Sequence, residues 1–376
     1  MSSKPKRNVP AQLPTRKLLS ESAGPGPLAR AGEQTATQIK IDESSVRMSD
    51  AELEAIRRIQ ELRSSKLLIF IAAETVQMKD DVALIVFELL KEMGKTDRID
   101  MIVHSRGGQT EVPAKLVSLI RNYCDHFGVI IPFRAHSAAT HLALGANEIV
   151  MGPMSELGPV DPSRTHPLLP KDKDGNPIPI SVQDLKHVVE LLKREGPGEN
   201  YSPEALATIF STMFEYIHPL AMGAIEQSYA LAKLISKKLL ATHMDAEKDH
   251  DTIERIANEL SDNFKSHSYQ IGWKEAKALG LPISFDDGEL YARAWKLYEL
   301  ISPQLNTPPA LAAGTKVSMR PIVVIETEIS KHVLFEISEL IPEGAVTKLK
   351  PLGAKWISTK DLGNKPTGET TSQPQP

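Results

Sequence analysis

Three short segments carry residue types that could perform acyl chemistry. His104-Ser105-Arg106-Gly107-Gly108 follows an apolar run and precedes an amphipathic one. Paired glycines at such a turn permit positive φ and let a substrate approach the backbone. Freed amides there could stabilise a developing oxyanion. The alternative is an ordinary β-to-α turn. Ala135-His136-Ser137-Ala138-Ala139-Thr140 repeats this arrangement with a serine at the helix start. Its hydroxyl could be exposed near the positive end of the helix dipole, or Ser137 could simply be an N-cap. Met154 to Pro162 is rich in Gly and Pro and reads as a rigid loop.

Strands and helices must alternate to present these turns. Ser49 and Glu52 have capping-box spacing ahead of Leu53, Ile56, Ile59 and Leu62. Lys66 to Ala72, Ile99 to His104, Val129 to Phe133 and Glu148 to Met151 are short apolar runs, predicted as buried strands. Val82 to Met93, Val112 to Tyr123 and Ala138 to Leu144 read as intervening helices, which implies a parallel sheet with helices against its faces. Beyond a proline-punctuated stretch, Ile180 to Lys193, 203–244, Thr252 to Leu260 and Lys274 to Gly280 read as helices. Strand pattern returns at Pro321 and His332, and 316–362 reads as a small C-terminal appendage to a domain at 46–315. Residues 1–45 and 363–376 have the low hydrophobicity of disordered tails.

Composition narrows the function. The 376 residues hold 44 Lys plus Arg against 48 Asp plus Glu, a net charge of −4, so no basic nucleic-acid footprint is expected. The one cysteine, Cys124, excludes an internal disulfide framework and a thiolate metal cluster. No apolar run reaches the roughly 20 residues of a membrane span. The 11 histidines form no HExxH pattern, and Gly107-Gly108 lacks dinucleotide-loop spacing, so no metal or cofactor is expected.

Taken in order, the motifs resemble the serine dehydrogenase proteinase family, relatives of signal peptide peptidase A within the Clp-protease/crotonase superfamily. The resemblance rests on 104–108, on Ser-Ala-Ala-Thr-His-Leu-Ala-Leu-Gly-Ala-Asn-Glu-Ile-Val-Met-Gly at 137–152, and on Leu-Gly-Pro-Val-Asp-Pro at 157–162. It continues through Ile-His-Pro-Leu-Ala-Met-Gly at 217–223, Ser-His-Ser-Tyr-Gln-Ile at 266–271 and Glu-Ala-Lys-Ala-Leu-Gly-Leu at 275–281, covering roughly 60–300. It implies an α/β core of repeated ββα units with a helical C-terminal portion. It also implies a serine peptidase acting on peptides or unfolded protein, and a homo-oligomer. Ser137 matches the nucleophile; the amides of Gly107 or Gly108, with that of Ala138, match the oxyanion hole. Archaeal relatives often carry an N-terminal membrane anchor. Here the basic Met1 to Arg7 segment is followed by no apolar stretch, and a soluble, cytoplasmic enzyme is expected.

The resemblance leaves the general base open. Clp proteases place a histidine about 25 residues after the serine, where this chain has Asp161-Pro162-Ser163. Signal peptide peptidases use a downstream lysine, and Lys186 or Lys193 falls in that range, although both flank an apolar helix face and read first as its solvated edge. His218 and His267 lie within shared motifs; each could be a site residue or a histidine bonded to backbone. His136 adjoins Ser137 but should point away from it, and His141 lies one turn along. Two other functions share the fold: an acyl-CoA hydratase or isomerase, which the Ser-Ala-Ala-Thr motif disfavours, and a non-catalytic interaction protein.

Overall fold

The computed structural model describes residues 43–164, 166–173, 175–178, 180–195, 202–264, 266–306, 317–343 and 346–363. These lie within one compact unit, Ile41–Pro376. The sequence-expected tails at 1–45 and 363–376 fall almost wholly outside the described residues. The described residues open with a 3-10 turn at Glu43–Ser45 and a fully buried Val46.

Helix α1 (Asp50–Arg63) starts at the expected capping box. Ser49 Oγ accepts from the Glu52 N–H at 3.2 Å, and Glu52 Oε2 accepts from the Ser49 N–H at 2.6 Å. The chain then runs through β1 (Lys66–Ala72), α2 (Asp81–Met93), β2 (Arg98–His104), α3 (Val112–Arg121), β3 (His126–Ile131), β4 (Arg134–Ala135), α4 (Ala138–Leu144), β5 (Glu148–Met151) and β6 (Glu156–Leu157). Next come β7 (Ser163–Arg164), β8 (Ile180–Ser181), α5 (Val182–Glu195), α6 (Pro203–Tyr216), α7 (Pro219–Leu240) and α8 (His250–Asn258), which passes into a π-turn at Glu259–Asn263. The remainder is β9 (Ile271–Gly272), α9 (Trp273–Ala278), β10 (Ile283–Phe285), α10 (Glu289–Asn306), β11 (Val317–Glu326), β12 (Lys331–Glu343), β13 (Val346–Ser358) and α11 (Thr359–Gly363).

The main sheet has the order β10-β5-β3-β2-β1-β11-β12-β13. Its first five strands are parallel, and β11 joins β1 antiparallel, with Phe70 opposite Ile325. Strand β1 is apolar at successive positions because both faces are covered. Leu68, Phe70 and Ala72 enter one core with α2, α3 and α4; Leu67, Ile69 and Ile71 enter the other with α1 and α10. Each such leucine, isoleucine or phenylalanine contributes roughly 1.5–3 kcal/mol by leaving water.

The 316–362 segment, read from sequence as an appendage, is continuous with this sheet. Val323 and Ile325 lie in the first core, while Val324, Val333 and Phe335 lie in the second. Only the pairing of β1 with β11, some 250 residues apart in the chain, brings this about. A second small sheet, β4-β6-β9, stands beside α4. Among the described residues no helix is long and apolar enough to cross a membrane.

Candidate active site

The two strand-to-helix turns meet edge to edge. Ser105 donates its N–H to Arg134 O at 2.9 Å, and His136 donates to Ser105 O at 3.0 Å. The Gly107-Gly108 turn is fixed on its other side, where Met78 N–H donates to Gly107 O at 2.8 Å and Gln109 N–H to Met78 O at 2.9 Å. Gly108 could carry no side chain, since a Cβ would lie 2.2 Å from Met78 O.

Ser137 occupies φ 52°, ψ −116°, a left-handed conformation that costs a non-glycine residue of order 1–3 kcal/mol. Its side chain makes no cap bond to α4, so the N-cap alternative fails. Its neighbours Ala135, His136, Ala138 and Ala139 are buried, whereas Ser137 is half-exposed. The turn thus thrusts one hydroxyl outward from a packed surround.

Of the amides proposed from sequence, that of Gly107 is engaged, donating to Ser105 Oγ at 3.0 Å. Among the described residues the N–H groups of Gly108 and Ala138 have no acceptor. Of the two turn glycines, Gly107 thus has its amide engaged, and a Cβ on it would collide with the Ser137 turn.

The candidate bases separate clearly. His136 packs its ring over Gly158, 3.1 Å from Glu156 Oε1, and burial, aided by Arg106 and Arg134, lowers its pKa to about 4. His141 is buried against α7, its Nε2 3.2 Å from Ala232 O and 3.1 Å from Ser236 Oγ, and burial lowers its pKa to about 4. Both are neutral structural histidines. His218 is exposed and caps α7, its Nδ1 accepting from Leu220 N–H at 3.2 Å. At 1.5 Å per residue it lies roughly 20 Å along α7 from Ala232. Ser137 lies one turn from His141, which touches Ala232 on that helix. Lys186 and Lys193 belong to α5, but their side chains fall outside the described residues.

His267 differs. Its Nδ1 lies 3.0 Å from Oδ1 of Asp161, whose side chain is 5% exposed. The hydrogen bond to Asp161 raises the His267 pKa against the opposing effect of burial. Two bonds fix the segments that carry this pair. Thr140 Oγ1, on α4, accepts from Gly158 N–H at 3.1 Å, which ties down the loop leading to Asp161. Val160 N–H donates to Leu260 O at 3.0 Å, which holds the segment leading to His267. The charge of His267 is felt at His136, the residue before Ser137. Ser137 Oγ forms no hydrogen bond with His267 here.

In the sequence Asp161 is legible only as part of a proline loop, and Lys233 belongs to no motif. Lys233 Nζ lies 2.6 Å from Asp262 Oδ2, and the Tyr229 hydroxyl also bonds Asp262. Burial lowers the Lys233 pKa, but the bonds to Asp262 and Tyr229 outweigh it and hold the ammonium charged. A charged lysine cannot accept a proton. Among the described residues, no cluster of three or more His, Cys, Asp or Glu is arranged to hold a metal ion.

Residues 44–168 match the family model of the ClpP-like SDH-type serine proteinases. That segment contains the glycine turn, Ser137 and Asp161, and ends before His267. The Clp-protease-like α/β class expected from the sequence is the fold observed. Two uncharacterized proteins of Methanocaldococcus jannaschii are similar. One is 22% identical over 213 residues, covering 57% of this chain and 60% of the relative. The other is 25% identical over 215 residues, covering 57% and 63%. The chain thus spans about three fifths of the length of these relatives. Among solved structures, the 1510-N membrane-bound stomatin-specific protease aligns at 16% identity over 61% of this chain and 85% of its own, with a TM-score of 0.34. ClpP1 from Listeria monocytogenes aligns at 13% identity over 61% and 96%, with a TM-score of 0.32.

Proposed function

We propose that this chain is a serine peptidase that cleaves peptides or unfolded protein through an acyl-enzyme on Ser137. The observation that carries the reading is the left-handed Ser137, its hydroxyl and the nearby amides of Gly108 and Ala138 without a partner among the described residues. Strain of this kind at a half-exposed nucleophile persists only where the surroundings impose it.

His267 is the general base and Asp161 its orienting partner. With Nδ1–H donating to Asp161, Nε2 is left to accept the Ser137 proton. Ser137 Oγ then bonds the scissile carbonyl carbon. The carbonyl oxygen takes the negative charge and receives the Gly108 and Ala138 N–H groups. Collapse breaks the C–N bond, and His267 gives its proton to the departing amine. Water, deprotonated by His267, releases the acyl group. The chain order Ser, Asp, His is one of several that build this constellation. The Ser137 to His267 contact closes on substrate binding, as catalytic hydrogen bonds often do.

A cytoplasmic homo-oligomer completes the reading. Phe210, Phe214, Tyr216 and Leu220 expose 41–72% of their surface on α6 and the start of α7. Patches of this kind mark association surfaces. Light scattering at micromolar protein tests it, and a 41.3 kDa monomer would oppose it.

The deciding experiment is labelling with a fluorophosphonate and mapping of the adduct. A label on Ser137 supports the peptidase. Folded protein that takes no label, or takes it elsewhere, removes this mechanism and favours a non-catalytic interaction protein of the same fold.

A further inference from the structure

Arg106 stands between the buried Ser105 and the turn glycine whose Cβ position touches Ser137. Its side chain is 43% exposed. None of its N–H groups has a hydrogen-bond acceptor among the described residues. Its nearest carboxylate, Glu74, lies 3.6 Å away. That carboxylate is shared with two other side chains: His104 Nε2 stands 3.4 Å from Oε1, and Arg134 Nη1 is 3.4 Å from each oxygen. The hydrogen bond from His104, with help from Arg134 and Arg106, keeps Glu74 ionised, with a pKa lowered to about 2. Arg134, the other guanidinium nearby, is committed to Glu156 at 2.6 Å and lies over the Phe133 ring at 4.1 Å. Arg106 is therefore the cation of this turn with donors to spare. The charge of Arg106 acts on both His136 and His267, lowering the proton affinity of each, so it lies within electrostatic range of both imidazoles.

We propose that Arg106 selects the substrate, favouring peptides with a carboxylate within two residues of the scissile bond. This rests on the peptidase reading and deepens it. A guanidinium offers five donors in a fork that matches a carboxylate. Placed on the turn whose next free amide would hold the oxyanion, it meets a substrate group only where the scissile carbonyl is already seated. Glu74 holds the guanidinium near the turn without consuming its donors. Glu74 also meets His104 and Arg134, and the charge of Arg106 reaches His136 and His267; Asp161 is bonded to His267.

The test uses the full chain and a peptide mixture randomised over six positions, with cleavage sites read by mass spectrometry. Asp and Glu should be enriched at one flanking position roughly threefold to tenfold over Ala, with Lys depleted. The enrichment should shrink at 1 M salt, where screening extends only about 3 Å. Arg106→Gln should remove it and Arg106→Lys restore part of it, judged as the acidic-to-neutral ratio whatever the absolute rate. Thermal melting establishes that each variant is folded. Cleavage without acidic enrichment, or enrichment that survives in Arg106→Gln, overturns the proposal while leaving the peptidase intact. Failure of fluorophosphonate to label Ser137 removes the peptidase reading itself, and this inference with it.

Discussion

A Cβ added at Gly107 would lie 2.8 Å from the Ser137 Cβ, closer than such atoms ever approach. The same atom would be 2.9 Å from His136 O and 3.0 Å from Ala138 N, and residue 107 has φ +107°. Gly107→Ala should therefore push the Ser137 turn out of place. It should abolish fluorophosphonate labelling and destabilise the fold by about 1–3 kcal/mol. Normal labelling with an unchanged urea midpoint would mean that the two turns are looser than this packing.

Ser137→Ala and Ser137→Gly should part company. Both lose the nucleophile, with activity falling on the order of 10⁶-fold. No cap bond is lost in either, because Ser137 makes none. Alanine should leave stability within about 0.5 kcal/mol. Glycine relieves the left-handed strain and should raise stability by about 1 kcal/mol. Differential scanning calorimetry of the two variants reads the difference.

Activity should rise with pH through a value above the ordinary histidine pKa of 6.5, because Asp161 raises the pKa of His267 and only the neutral imidazole accepts a proton. In Asp161→Asn the cause of the shift is gone. The acid limb should then move to lower pH, while kcat falls by roughly two to four orders of magnitude as the imidazole loses its orientation. The corresponding stability has the opposite pH dependence. A folded pKa raised above the unfolded one contributes below pH 6.5, and the contribution is lost as pH climbs through the folded value. An acid limb that stays put in Asp161→Asn would assign the base elsewhere.

Glu326 gives stability a second pH dependence, remote from the site. It is fully buried beside Lys331 and Glu52, neither of its oxygens is hydrogen bonded, and burial raises its pKa to about 7. The unfolded chain gives up this proton near the ordinary 4.5, the folded chain only near 7. The contribution is therefore present in acid and fades as pH rises through 7, by roughly 3 kcal/mol at most. Glu326→Gln should flatten this slope and be the more stable protein at pH 8. Urea midpoints at pH 5 and pH 8 check it.

Truncation after Asn306 should yield insoluble protein. It removes β11, and with it the antiparallel partner of β1 and the buried Val323, Val324 and Ile325. An unpaired apolar edge in mid-sheet is an aggregation template. A soluble, labelling-competent truncation would show instead that the segment is dispensable.

The sequence by itself determined the elements and the reactive turn. Local periodicity and capping suffice for α1, for the buried parallel strands and for the glycine and serine turns, since each is decided by residues within a few positions of one another. The resemblance carried Ser137 in the same way, through contiguous motifs. Tertiary structure decided everything that depends on distant contacts. It made 316–362 part of the main sheet, because backbone pairing between β1 and β11 leaves no mark on either strand's own pattern. It left Gly108 and not Gly107 with a free amide, because the difference lies in one hydroxyl of Ser105. It paired His267 with Asp161 across 106 residues and set His218 at the N-terminal cap of α7. An imidazole becomes a base through the carboxylate it faces and its distance from the nucleophile, and neither is a property of its neighbours in the chain.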